Sequence, residues 1–169
     1  KTATDMSAAM YSNSQYIESS LVTGTQWDMV MKFISKESDY SDVKSTPWGN
    51  YTDGQVTYSQ GQGRYILVDG SIGIENGSFT TSDRDYHCGV RTTASSENVK
   101  KNNLYDIAGN LWEWTTESAY ISNEDEIFKI ARSGAFHLKG IYHPASQRIV
   151  VKNDNNGIDV GFRLVLYIK

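Results

Sequence analysis

Apolar and polar positions fall into three regimes along the chain. Near the amino end, DMSAAMY over Asp5–Tyr11 reads as a short helix capped by Thr4 or Asp5. Thr25 then precedes QWDMVMKFI, in which Trp27, Val30, Met31 and Ile34 recur at helical spacing, with Asp28 in the first turn. From Ser35 to about Lys101 both periods dissolve into turn chemistry: ESDYSDVKSTPWGNYTDGQ, SQGQGRY, DGSIG, ENGSF, SDRDYHCG. An irregular stretch of that length inside a compact domain is uncommon, and such stretches serve a function or wrap over the core. The last third reads as strands at Leu111–Thr116, Ile127–Phe136, Arg148–Val151 and Gly161–Ile168. In the last of these, Phe162, Leu164, Leu166 and Ile168 alternate with Arg163, Val165 and Tyr167. The pattern predicts an α+β chain with two helices, short antiparallel strands and long irregular loops. It shows no repeat and no low-complexity tract.

One stretch, NLYDIAGNLWEWT, carries a specific physical question. Trp112 and Trp114 lie two apart, the side-chain period of a strand, so both rings face one side and Glu113 the other. If that strand is internal, the Glu113 carboxylate is buried. A buried charge requires a cation, a set of hydrogen-bond donors or a metal.

Composition narrows the classes. A length of 169 residues fits one domain over 1–169, long enough to bury a substantial core. A net charge of −4 without a basic stripe argues against a nucleic-acid partner. The single cysteine, Cys88, allows no internal disulfide and no cysteine-based zinc or iron–sulfur site. No apolar run approaches the roughly 20 residues that span a bilayer, so no membrane insertion is expected, and no secretory signal is present. The chain opens on Lys1 rather than methionine, which reads as processing or as a piece of something longer. Fourteen glycines and 11 tyrosines, mixed with Ser, Asn, Asp and Thr, make a loop-rich composition suited to surface binding.

The order LVTGTQWDMVMKF, NLYDIAGNLWEWT, ARSGAF, PASQR and VGFRLVLYIK resembles the formylglycine-generating-enzyme-like (sulfatase-modifying factor) family from about Ser20 to Lys169. That family typically shows LPTEAEWE, YDMAGNVWEW, RGGSW and GFR. G-N-x-W-E-W followed downstream by G-F-R is the specific part of the match. The resemblance implies a C-type-lectin-like α+β fold. The family's amino-terminal GG-F-x-x-G-x-x-E signature is absent, so the corresponding strands are expected to be missing.

The family's oxidases use two cysteines shortly after the RGG motif to bind copper, and copper(I) selects such soft thiolates. Laid on that pattern from Arg132, the two positions become Leu138 and His143. The resemblance therefore implies no copper and no oxidase. The iron-dependent branch needs a separate histidine-bearing helical domain, which is not expected here either. His87, His137 and His143 show no spacing that marks an acid–base set.

The resemblance extends to the variable proteins of diversity-generating retroelements, in which adenine mutagenesis changes side chains between the RGG-like strand and GFR. An AAC codon so mutated yields His, Leu, Ile, Tyr, Val, Asp, Asn, Ser and Gly among others, but never Lys, Gln, Glu, Met or Trp. His137, Leu138, Ile141, Tyr142, His143, Ile149, Val150, Asn153, Asp154, Asn155, Asn156, Ile158 and Asp159 are all reachable, whereas Lys139, Gln147 and Lys152 are not. The candidate ligand-binding set is His137, Leu138, Ile141, Tyr142, His143, Gln147, Ile149, Val150, Asn153, Asp154 and Asn155. For 137–143 the mixture beside Gly140 and Pro144 lacks strand and helix period and reads as a recognition loop. For the later positions, a core strand at Ile149–Val151 and a polar turn at Asn153–Gly157 remain equally open. Trp48 and Tyr51 read as core rather than as part of that face.

The resemblance thus implies a non-catalytic receptor or adhesin-like domain on a bacterial cell or phage surface, with a protein or glycan ligand. A degenerate oxidase and a structural module of a larger surface protein are the alternatives. Sugar specificity does not follow from the fold, and no E-P-N or Q-P-D tripeptide is present. The resemblance also implies a structural calcium held by the Asp106 side chain, the Gly109 and Leu111 carbonyls and the Glu113 carboxylate, oxygen donors of the kind calcium takes. The competing reading has Asp106 capping the turn and Glu113 paired with Arg132 or Arg163.

Overall fold

The computed structural model describes residues 2–36, 44–54, 57–58, 63–66, 71–75, 79–80, 89–122, 126–152, 157 and 159–169. Helix α1 spans Ala3–Ala9 and α2 spans Gly24–Ser35. Both begin earlier than the apolar period indicates, because each is set by a capping box. Thr2 bonds reciprocally with Asp5, and Thr23 with Gln26, so Asp5 and Thr25 lie inside the helices rather than at their caps. Trp27, Met31 and Ile34 form the buried stripe of α2, and Lys36 in the left-handed conformation ends it.

Among the described residues the strands are, in chain order, β1 (Ile17–Leu21, between the two helices), β2 (Thr57–Tyr58), β3 (Gly63–Ile66), β4 (Ile72–Glu75), β5 (Phe79–Thr80), β6 (Lys100–Lys101), β7 (Leu104–Tyr105), β8 (Trp112–Ile121), β9 (Glu126–Arg132), β10 (Ile149–Val151), β11 (Val160–Phe162) and β12 (Leu164–Ile168). The main sheet has the order β10-β9-β8-β11, and β1 pairs with β12 in a separate two-stranded sheet. Of the expected strands, Leu111–Thr116 runs on to Ile121 because β9 keeps pairing with it beyond a bulge between Trp114 and Ser118. Ile127–Phe136 stops at Arg132, where Ser133 and Gly134 take positive φ angles of 92° and 85°. The expected strand Gly161–Ile168 is two strands. Arg163 interrupts it, β11 runs parallel to β8, and β12 runs antiparallel to β1, so the pairing is mixed rather than wholly antiparallel.

The core forms two clusters. Val22, Trp27, Met31, Ile34, Trp48, Tyr51, Ile107, Ala108 and Ala145 make the first; Trp112, Ala131, Ala135 and Val151 make the second, with Trp114, Leu138, Ile149 and Val160 packed against it. Trp48 and Tyr51 are core, as the sequence indicates. The turn 106–110 contributes Ile107 and Ala108 to the first cluster, and its Asp106, Gly109 and Asn110 adopt the left-handed conformation. A Cβ on Gly109 would lie 2.3 Å from the Asn50 carbonyl oxygen, so only glycine fits there.

Candidate functional site

Strand β8 is internal, and Glu113 is buried within it. Its carboxylate accepts hydrogen bonds from Arg163 Nε at 2.5 Å and Nη2 at 2.6 Å. Arg163 Nη2 also donates to the Asp106 carbonyl at 2.9 Å. Asp106 uses Oδ2 to accept the Ala94 amide at 2.8 Å, while its buried Oδ1 has no hydrogen-bond partner. Burial raises the Asp106 pKa above the ordinary value, with the Ala94 bond and Arg163 opposing.

Beyond Arg132 the chain leaves the sheet as a long loop, 133–148, anchored on the segment 45–53. Tyr51, fully buried, donates its hydroxyl to the Ser133 carbonyl at 2.7 Å and shares a contact with Ser45 Oγ at 3.2 Å. Burial pushes that phenol well above its ordinary pKa, so it stays a neutral donor. Ser45 Oγ in turn accepts the Ala145 amide at 3.0 Å. Within the loop, the amides of Tyr142 and His143 both donate to the Lys139 carbonyl at 3.0 Å, which folds 139–143 into a tight turn. At its crest Ile141 and Tyr142 are 68% and 69% exposed.

The other expected binding residues are placed unevenly. His137 is half-buried, edge-on to Phe136, with Nε2 3.8 Å from Asp159. Burial lowers its pKa, the neighbouring His143 acts in the same direction, and Asp159 opposes both. Leu138 packs against the second core cluster rather than facing out. His143 stands edge-on to Trp112 at 6.0 Å, and its Nδ1 pairs with Gln147 Oε1 at 2.8 Å. Ile149 and Val151 turn inward from β10 while Val150 is exposed, so the core-strand reading holds for two of these three. Asn153, Asp154 and Asn155 lie outside the described residues, as do His87 and Cys88.

The model of the sulfatase-modifying factor enzyme 1-like domain matches residues 70–168, more than half of the chain. The chain belongs to this sulfatase-modifying factor family. Neither a curated protein nor a solved structure matches it.

Within this sulfatase-modifying factor domain, the segment that carries the family motif is the turn and ion pair just described. Its fit to calcium divides. Asp106 Oδ1 is a buried carboxylate oxygen lacking a donor, which a cation would satisfy. Glu113, by contrast, is already neutralised by Arg163, and the Gly109 carbonyl accepts Ser133 Oγ at 3.0 Å. Carboxylate and carbonyl oxygens can each accept a second partner, so the donor chemistry of Asp106, Gly109, Leu111 and Glu113 is compatible with the calcium that the resemblance implies. No cluster of three or more His, Cys, Asp or Glu side chains occurs among the described residues.

Two features that support the loop carry no sequence signal. The 45–53 floor of the loop is one, since Asp53 meets Gly140 across 87 residues. The other is a ring of alternating charge. Arg132 reaches Asp28 at 2.7 Å and Glu117 at 3.2 Å, and Arg148 closes it from outside on the same two acids at 2.5 and 2.8 Å. This ring ties α2 to β8, β9 and the far end of the loop. Asp28 is legible only as a helix-start residue.

Proposed function

We propose that this domain is a non-catalytic binding module with a C-type-lectin-like fold that presents the loop 133–148, with Ile141 and Tyr142 at its crest, to a protein or glycan on another surface. The supporting observation is that crest: exposed apolar side chains on a backbone tied to the core through Tyr51, Ser45 and the 139–143 turn. Leu138 and His143 stand where the family's oxidases carry cysteines, and neither side chain supplies a thiolate. Leu138 serves the core and His143 is engaged by Gln147 and Trp112, so both positions act as framework for the display. Diversification by a retroelement is part of the proposal, as is display on a bacterial cell or phage particle. Calcium, where bound, would supply charge compensation to Asp106 rather than chemistry at the loop.

Three experiments test this. Screening the domain against arrays of glycans and bacterial surface proteins should yield a ligand whose binding is lost in the Ile141→Ser, Tyr142→Ser double variant. Copper-dependent oxygen uptake with a cysteine-bearing peptide would overturn the reading in favour of an oxidase. For diversification, the source locus should hold a reverse transcriptase and a near-copy of the codons for 131–169; a locus with neither removes that part.

A further inference from the structure

We infer that Asp53 is the positioning residue of the display loop, an inference that rests on the recognition reading above. Its carboxylate accepts the amide of Gly140 on Oδ1 at 2.7 Å and the amide of Ile141 on Oδ2 at 3.3 Å. One side chain thereby fixes two consecutive peptide groups, those entering the exposed crest. Next to it, Thr52 donates both its amide, at 2.9 Å, and its hydroxyl, at 3.0 Å, to the Leu138 carbonyl. Beneath lies Gly140, where a Cβ would meet Thr46 Oγ1 at 2.6 Å and the Tyr51 ring at 2.7 Å. The backbone must approach the floor this closely for Asp53 to reach it.

The clamp acts on main-chain groups. None of these bonds involves the side chains of Ile141 or Tyr142, so those can change without changing the backbone that carries them. Amide bonds to a carboxylate are about twice as strong as neutral ones. A loop held this way is pre-organised, and a partner does not have to order it on binding. Specificity then resides in positions 141 and 142, while Asp53, Thr52 and Gly140 hold their geometry constant.

Amide hydrogen exchange on the full chain tests this without any ligand. In Asp53→Ala, Gly140 and Ile141 should exchange faster by about tenfold or more, as expected for loss of a charge-assisted bond. Protection of Trp112–Thr115 in β8 should stay unchanged. Asp53→Asn retains one acceptor and should rescue Gly140 while leaving Ile141 fast, an asymmetry that a merely structural role would not produce. Unchanged exchange at 140–141, or an equal loss of protection in β8, overturns the inference. Should Asp53→Ala fail to fold, Asp53→Asn alone decides it by the same asymmetry. Failure of the ligand screen with this exchange pattern intact would instead strike the recognition reading.

Discussion

Arg163 holds both oxygens of Glu113, through Nε at 2.5 Å and Nη2 at 2.6 Å, from the residue at which the chain leaves β11 for β12. The pair joins the main sheet to the strand that partners β1. Arg163 also lies 5.8 Å from the Trp27 ring, and Arg132 lies 5.9 Å from the same indole, so one buried tryptophan contacts both ion-pair systems. Removing one partner of a buried pair leaves the other charge uncompensated. Glu113→Gln should therefore destabilise the domain by about 3 kcal/mol, near the low end of that class because Arg163 reaches solvent at its edge. Denaturant unfolding monitored by tryptophan fluorescence measures it; a change below about 1 kcal/mol would show the pair to be incidental.

The charge ring around Arg132 gives a second prediction. Arg132 is fully buried, contacts both Asp28 and Glu117, and donates Nη2 to the Ser146 carbonyl at 3.1 Å. A lysine keeps the charge but cannot present two nitrogens to two acids and a carbonyl at once. Arg132→Lys is expected to cost about 2–3 kcal/mol and to increase exchange at Ala145 and Ser146, while Arg148→Lys, half-exposed, should cost about 1 kcal/mol or less. Equal effects of the two substitutions would contradict the division between buried and outer arginine.

How much of this was legible follows from the range of each signal. Helix α2 is visible because Trp27, Met31 and Ile34 repeat within one turn or two, but its start at Thr23 depends on the side-chain exchange with Gln26, which competes with Thr25 on equal terms in the sequence. The buried glutamate was predictable from the two flanking tryptophans, and Arg163 stood among two candidate partners. The break at Arg163 was not, since alternation continues unbroken from Gly161 to Ile168 while the strand changes sheets. Of the site, the exposed crest at 141–142 is legible as a stretch without period, whereas the inward turn of Leu138 and the clamp from Asp53 depend on long-range packing.

Calcium gives a third prediction. The buried Oδ1 of Asp106 lacks a donor, and Arg163 is engaged mainly by Glu113. An ion bound only to the native state raises the melting temperature, with a stabilisation that grows as the logarithm of its excess over Kd. Millimolar calcium should raise the Tm of the wild-type domain, and Asp106→Asn should abolish the response while tolerating the left-handed backbone at that position, where φ is 51°. A Tm that calcium and chelator leave unchanged would remove the ion from the account.

The fourth concerns pH. His137 has its pKa lowered by burial, with His143 adding to the effect and Asp159 opposing it. A lowered folded-state pKa means that the unfolded chain binds the proton more readily. The contribution of neutral His137 is fully present above the ordinary value of 6.5 and is lost as pH falls through the lower folded value. The Tm of wild type relative to His137→Gln should therefore decline between pH 7.5 and pH 5. A difference that is flat or rises toward acid would show that Asp159 dominates and holds the imidazolium in place.

The last prediction separates display from support within one loop. Ile141 and Tyr142 contribute little to packing at 68% and 69% exposure, and substitutions at such surface positions typically stay within about 0.5 kcal/mol. Leu138, immediately before the 139–143 turn, packs against the second core cluster, and truncating a buried or partly buried leucine costs about 2–3 kcal/mol. Ile141→Ser and Tyr142→Ser should leave the unfolding midpoint unchanged, whereas Leu138→Ala should lower it by the amount of a core truncation. Binding to a ligand found by array screening should respond in the reverse order, with Tyr142→Ser the most damaging because an aromatic anchor carries the most contact area per side chain. If Leu138→Ala weakens binding more than Tyr142→Ser at a temperature where both variants are fully folded, the recognition surface lies deeper in the loop than its crest.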